Sequence, residues 1–196
     1  THRQSSAASD VYKRQLASGA PYEGASNIGH VRVWTWDGPA ETWTQRGTDV
    51  DGEAPNDKFG MTVALSNSGD VLAAGSVENG GGGTNAGHVR VWDWSGTAWV
   101  PRGPDIDGEA TTDYSGKGMG LSGDGLVLAV GAYGNDGGGT DAGHVRVYGW
   151  VAEANAWERR GQDIHGQMPG AYAGQTLALS NDGLVLAVAE RLHGSD

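Results

Sequence analysis

The sequence predicts an all-β chain built of repeated four-stranded units. Three observations carry this: a word that recurs at a fixed period, aromatic residues locked to recurring slots, and period-2 alternation cut by turn residues with no helical periodicity. The word is G-H-V-R-V-aromatic, which begins at Gly29, Gly87 and Gly143, 58 and 56 residues apart. Trp43, Gly47 and Asp49 recur as Trp99, Gly103 and Asp105, and again as Trp157, Gly161 and Asp163. The stretch Phe59–Ser76 recurs as Ser115–Ala132 and Ala173–Glu190. Self-similarity at such a period marks a repeat architecture before any other reading. Trp34, Trp92 and Tyr148 share one slot, Trp36, Trp94 and Trp150 a second, and Trp43, Trp99 and Trp157 a third.

Each period reads as four short strands. In the first, Val31 and Val33 fall on one face and His30, Arg32, Trp34 and Trp36 on the other, the alternation of a strand. The second surrounds Trp43, the third is Met61–Leu65 and the fourth Val71–Gly75. Ser-Asn-Ser-Gly, Ser-Gly-Asp-Gly and Ser-Asn-Asp-Gly turns, ending at Gly69, Gly125 and Gly183, separate the last two strands in successive copies, and Asp-Gly suits a tight hairpin. Four-stranded units at this spacing predict a β-propeller, with the recurrent rings buried between blades. A solenoid or a string of separate small sheets is the alternative. The repeats run over about 16–74, 75–130 and 131–188 within a unit of 16–196, and the pattern drifts after Val188, where Ala189-Glu190 replaces Gly75-Ser76 and Gly131-Ala132. Propellers have 4–8 blades, so three periods predict an incomplete ring whose closure needs further repeats of a longer chain.

Composition narrows the function. The chain has 196 residues, 35 of them glycine, no cysteine and a formal charge of −11. Without cysteine there is neither a disulfide framework nor a zinc-thiolate site. The acidic balance argues against a nucleic-acid partner. No apolar run approaches a membrane-spanning length, so no membrane insertion is expected within the segment. Residues 1–15 hold no repeat word and no apolar signal-peptide core, and Ser5–Gln15 resembles adapter-derived sequence at the ends of translated transcript assemblies.

The words Leu16–Pro21 (LASGAP), Phe59-Gly60 and Leu128–Ala132 (LAVGA), with the Asp-Gly turn, the glycine loop and the G-x-V-x-V-aromatic strand in that order, resemble the FG-GAP repeat. That repeat builds the propeller of integrin α chains and of many microbial surface proteins. The resemblance implies a secreted or cell-surface protein, an innermost FG strand and partner binding on one rim. It also implies a calcium loop, D-x-[DN]-x-D-G-x-x-D, before the GA strand. Only Asp124-Gly125 and Asp182-Gly183 survive of it here, too few oxygens for calcium, so a plain hairpin is expected and no cofactor is assigned.

Other residues could carry chemistry. Asp49, Asp51, Glu53 and Asp57 recur as Asp105, Asp107, Glu109 and Asp113. Alternating carboxylates could hold a hard cation, with Asp105, Asp107, Glu109 and Asp113 as its ligands. A turn stabilised by Asp–amide bonds is the competing reading, favoured by the third copy, where His165 and Gln167 replace acids. The glycine loops 79–85 and 135–141 lack a following Gly-Lys-Ser/Thr and helix, so they are connections rather than phosphate cradles. With Asn135, Asp136 and Asp141 they join the acidic loops as candidate ligand-binding positions. His30, His88 and His144 recur once per unit and read as packing residues. Arg32, Arg90 and Arg146 beside them are expected to stack on tryptophan or pair with the loop carboxylates. No catalytic residue is assigned, because no hydrolase or metalloprotease signature is present and the carboxylates recur in every copy. The expected function is a non-catalytic binding, adhesion or scaffolding module whose partner is a protein or a glycan. The alternatives are the propeller part of a carbohydrate-active enzyme with its catalytic residues elsewhere, and a structural cell-surface array.

Overall fold

In the computed structural model, residues 7, 8 and 15–191 are described. They form three sheets and the beginning of a fourth. Sheet one holds β1 (Ala7–Ala8), β2 (Gln15–Ala20), β3 (His30–Asp37), β4 (Thr42–Gln45) and β5 (Val50–Asp51). Sheet two holds β6 (Thr62–Leu65), β7 (Val71–Ser76), β8 (His88–Trp94), β9 (Trp99–Pro101) and β10 (Ile106–Asp107). Sheet three holds β11 (Ser115–Leu121), β12 (Val127–Ala132), β13 (His144–Val151), β14 (Ala156–Arg159) and β15 (Ile164–His165). β16 (Leu177–Leu179) and β17 (Leu186–Val188) open the fourth. The expectation for residues 1–15 rests mostly on residues outside the described ones. Within that stretch Ala7–Ala8 pairs with Ala17 and Ser18, beside β2, where β6 stands beside β7 in sheet two.

All neighbouring strands within a sheet are antiparallel. The outer strand is split in two. After β4 the Arg46 amide bonds Val33 at 2.7 Å, and the chain rejoins β3 as β5 through the pairs His30–Asp51 and Val31–Val50. The D-x-D-G stretch, read from sequence as a free turn, is thus partly strand, because its backbone completes the edge of the third strand.

Sheet two packs an apolar face against each of its neighbours. Ala17, Val31, Val33 and Val50 of sheet one pack against Phe59, Val63, Leu65, Leu72, Ala74 and Trp92 of sheet two. The other face of sheet two, with Val71, Ala73, Val89, Val91 and Ile106, packs against Met119, Leu128, Val130, Tyr148 and Trp157. The strands β7 and β12, covered on both faces, are buried along their whole length. Burying a ring such as Trp92 contributes roughly 2–3 kcal/mol. The first strands β1, β6, β11 and β16 lie successively against one another, the radial arrangement of propeller blades.

The closest approach at each junction is made by glycine. A Cβ on Gly19 would stand 2.0 Å from the Gly60 carbonyl oxygen, one on Gly75 2.6 Å from that of Gly116, and one on Gly131 2.0 Å from that of Gly174. The facing glycines have φ of +83°, +87° and +88°, a conformation glycine adopts without penalty. The FG and GA words are therefore two sides of one contact between successive blades. Gly75→Ala should destabilise the protein by about 1–3 kcal/mol, read as a lowered urea midpoint. Gly80→Ala, with only one atom near, at 3.9 Å, should leave the midpoint within about 0.5 kcal/mol of wild type.

Candidate functional site

The recurring charged residues converge where one blade meets the next. Arg32 donates from Nε and Nη2 to both oxygens of Asp49, at 3.0 and 2.8 Å. Arg90 repeats this with Asp105 at 3.2 Å and reaches back to Glu53 of the preceding blade, also at 3.2 Å. Arg146 forks onto Asp163 at 2.9 and 2.8 Å and holds Glu109 of the preceding blade at 2.5 Å. Arg159 also pairs with Asp163. Planar guanidinium forks suit this bidentate pairing. The expected arginine–carboxylate pairs are present, Arg90 also lies 5.0 Å over the Trp92 ring, and the acidic loops act as ties between blades.

A buried histidine stands beside the second and third of these ties, each with one ring nitrogen unpaired among the described residues. His88 is 1 % and His144 3 % exposed. His88 Nδ1 stands 3.7 Å from Asp107 and 3.9 Å from Asp105, and His144 meets the His165 ring edge-on at 5.9 Å. Burial holds both imidazoles below their ordinary pKa, and Arg146 lowers that of His144 further. The nearby carboxylates oppose the shift without overcoming it. Hydrogen bonding from Arg146 chiefly lowers Asp163 to about 2 and raises Arg146, against the burial of each. Arg32 likewise lowers Asp49. A cavity of about 10 Å³ beside His144, lined also by Glu109, Arg146 and Ser115, has about the room of one water.

Glu53, His88 and Asp105 bring ligand atoms within 4.8 Å of one another, as do Glu109, His144 and Asp163. Each set is two carboxylates and one imidazole, but a guanidinium already lies on both carboxylates. The four residues weighed as cation ligands, with a turn the favoured reading, have other partners. Asp105 turns to Arg90, Glu109 to Arg146, and Asp107 faces His88. Asp113, 3 % exposed, accepts from the Ala110 amide and from Asn135.

The remaining rim positions divide in two. Asp57 with Asn79, and Asp113 with Asn135, are buried pairs that pin the acidic loop to the glycine loop of the same blade. Asp51, Asp107 and Asp136 are exposed on that rim, with Asp141 half-buried and its amide bonded to Asp136 at 2.8 Å. At the opposite end of the strands, Asp124 and Asp182 accept from Ser122 and Ser180 and from the amides of Leu126 and Leu184. Those bonds lower both carboxyls and make each loop a closed hairpin.

The nine aromatic slots differ by junction. Trp92, Tyr148 and Trp157 are buried, Trp34, Trp36, Trp94, Trp99 and Trp150 are partly covered, and Trp43 is 43 % exposed. Trp36–Trp43, Trp94–Trp99 and Trp150–Trp157 are cross-strand pairs with ring centroids 5.3–5.4 Å apart. Sequence reading missed a second arginine series. Arg46 lies 4.7 Å over Trp94 and Arg102 5.2 Å over Trp150, each in the next blade, while Trp99 and Trp157 donate to their carbonyls. The recurrence of arginine just before Gly47, Gly103 and Gly161 was the available signal.

Solved structures resemble this arrangement. The chain superposes on a candidate 6-phosphogluconolactonase of Bacteroides uniformis with a TM-score of 0.55 and 10 % identity, covering 89 % of this chain and 43 % of that one. A second, from Bacteroides fragilis, gives 0.53 and 12 %, covering 90 % and 39 %. The chain thus spans about two fifths of the length of these structures. At such identity the likeness defines the fold: this is a segment of a β-propeller. No protein-family model matches the chain, and no curated protein matches it in sequence.

Glu109→Gln should cost about 1–2 kcal/mol, between exposed and buried ion pairs, read as a lowered denaturant midpoint. A pH series reads the histidines. Unfolded imidazoles take up protons near pH 6.5, whereas burial keeps His88 and His144 neutral to lower pH. The unfolded state therefore binds more protons below that point, and stability should fall from pH 7.5 to 5.5. A His88→Gln, His144→Gln variant should flatten that slope. A further loss, as pH falls from 3.8 through about 2, belongs to Asp163.

Proposed function

We propose that the chain is a binding or scaffolding segment of a propeller of the FG-GAP kind, carried by a secreted or cell-surface protein, and that it recognises a protein or glycan ligand through the exposed groups of one rim. Nucleic acid is not the partner of so acidic a chain. Among the described residues no helix is long and apolar enough to cross a membrane.

One observation carries this reading. The carboxylates Asp49, Glu53, Asp105, Glu109 and Asp163 are committed to arginines of the scaffold, and Asp57 and Asp113 to its amides. A general acid or base must reach substrate, and a guanidinium covers each of the first five. The exposed Asp51 and Asp107 stand instead at the ends of the short strands β5 and β10, and Asp136 on a glycine loop, at a rim held by a rigid frame, the usual seat of recognition.

Simultaneous Asp51→Asn, Asp107→Asn and Asp136→Asn should abolish capture of ligands on protein and glycan arrays. The melting temperature should stay within about 2 °C of wild type. Capture unaffected by the triple variant would contradict the proposal. Turnover of a sugar lactone or polysaccharide by the chain would favour the enzymatic alternative.

A further inference from the structure

The blades are near copies in their framework but diverge at one half-buried place. On the rim that bears the acidic loops, the residue before Phe59, Ser115 and Ala173, each of which bridges to the glycine of a G-H-V-R-V word, is Lys58, Tyr114 and Tyr172 in turn. The residue after the second strand is Val77 in sheet two and Tyr133 in sheet three. Tyr114 and Tyr133 stack with centroids 5.1 Å apart and planes within 8°. Tyr133 meets Tyr172 across the next junction at 6.2 Å. All three rings are half-buried, and among the described residues none of their hydroxyls takes part in a protein hydrogen bond.

The path continues toward sheet one. Lys58 pairs with Glu78 and lies 5.6 Å over the ring of Tyr22, which is 36 % exposed. Glu78 is close enough to Tyr133 to help raise its phenol pKa, a shift led by burial. Tyrosine rings and one lysine–glutamate pair thus lie along several blades of this rim. The framework does not require the rings, since sheet two manages with Lys58 and Val77 at the same places.

We infer that the rim surface formed by Tyr22, Lys58, Glu78, Tyr114, Tyr133 and Tyr172 binds a neutral, β-linked oligosaccharide in an extended pose. The inference rests on the binding-module reading above and names the class of ligand. A pyranose with equatorial substituents presents a flat C–H face that packs on the electron-rich face of an aromatic ring, while its hydroxyls point sideways. Tyrosine offers both a stacking face and a hydroxyl at low entropic cost. Lys58 and Glu78 supply a donor and an acceptor beside the rings, and their mutual neutralisation suits an uncharged chain. A few polar groups along an aromatic surface are the usual make-up of a small-ligand site.

The test is calorimetric titration of the chain with cellohexaose, mannohexaose and chitohexaose, in wild type and in Tyr133→Ala, Tyr172→Ala and Tyr133→Phe. At least one sugar should bind wild type. Either alanine variant should weaken it tenfold or more, while Tyr133→Phe, which keeps the ring, should retain most of the affinity. Tyr172→Ala alone decides if Tyr133→Ala does not fold, as judged by circular dichroism. Binding of none of the three sugars overturns the inference, as does sugar binding that both alanine variants leave intact. If none binds but the array of the preceding section still shows capture lost in the rim triple variant, the module reading stands and only the sugar assignment falls. If a captured protein is lost with Tyr133→Ala and no sugar binds, the path serves a protein and the inference is overturned.

Discussion

The contact between Gly75 and Gly116, with its equivalents Gly19–Gly60 and Gly131–Gly174, sets how near one blade can come to the next. Every other junction interaction depends on that spacing. With the backbones in contact on the inner side, Arg46 of one blade can lie 4.7 Å over Trp94 of the next, and the valines of one sheet can fill the face of its neighbour. Any side chain at Gly75 would wedge the sheets apart and undo dispersion contacts that vanish over fractions of an ångström. Chain composition follows from this geometry: part of the glycine content is what lets two sheets touch.

Charge is used in the same direction. The acidic loops would repel one another if their carboxylates stood free, yet sheets two and three each set an arginine between their own aspartate and the glutamate before it. Arg146 between Asp163 and Glu109 is the most completely enclosed example. The partly desolvated setting strengthens such pairs relative to water, and a carboxylate held by a guanidinium is a poor metal ligand or proton acceptor. The recurring arginine–carboxylate pairs hold blades together, while Asp51, Asp107, Asp136 and Tyr133 stand outside those pairs.

Much of the fold could be read from the order of residues. The G-H-V-R-V word, the Asp-Gly turns and the aromatic slots lie within single strands and hairpins, where neighbours in sequence are neighbours in space. The junctions were harder. Gly19 and Gly60, or Glu53 and Arg90, meet only after two sheets have stacked, and no local pattern announces such a meeting. The acidic loop was therefore seen as a cation site or a turn, when half of it is strand and its glutamate belongs to the next blade. The tyrosine path escaped for the opposite reason. A search for recurrence discards positions that differ between copies, and the slot of Tyr114 and Tyr172 holds Lys58 in sheet two, as that of Tyr133 holds Val77.

If the junction is the unit of stability, protection should follow the number of covered faces rather than the number of strands. In a repeat array, neighbour terms add to the stability of each unit, and amide exchange resolves them locally. Native-state hydrogen exchange across the chain measures this directly. The junction account predicts the strongest protection in β7, β8 and β12, which are covered on both faces, and markedly weaker protection in β16 and β17. Equal protection in all four sheets, or opening of sheet two with sheets one and three still fully protected, would contradict it.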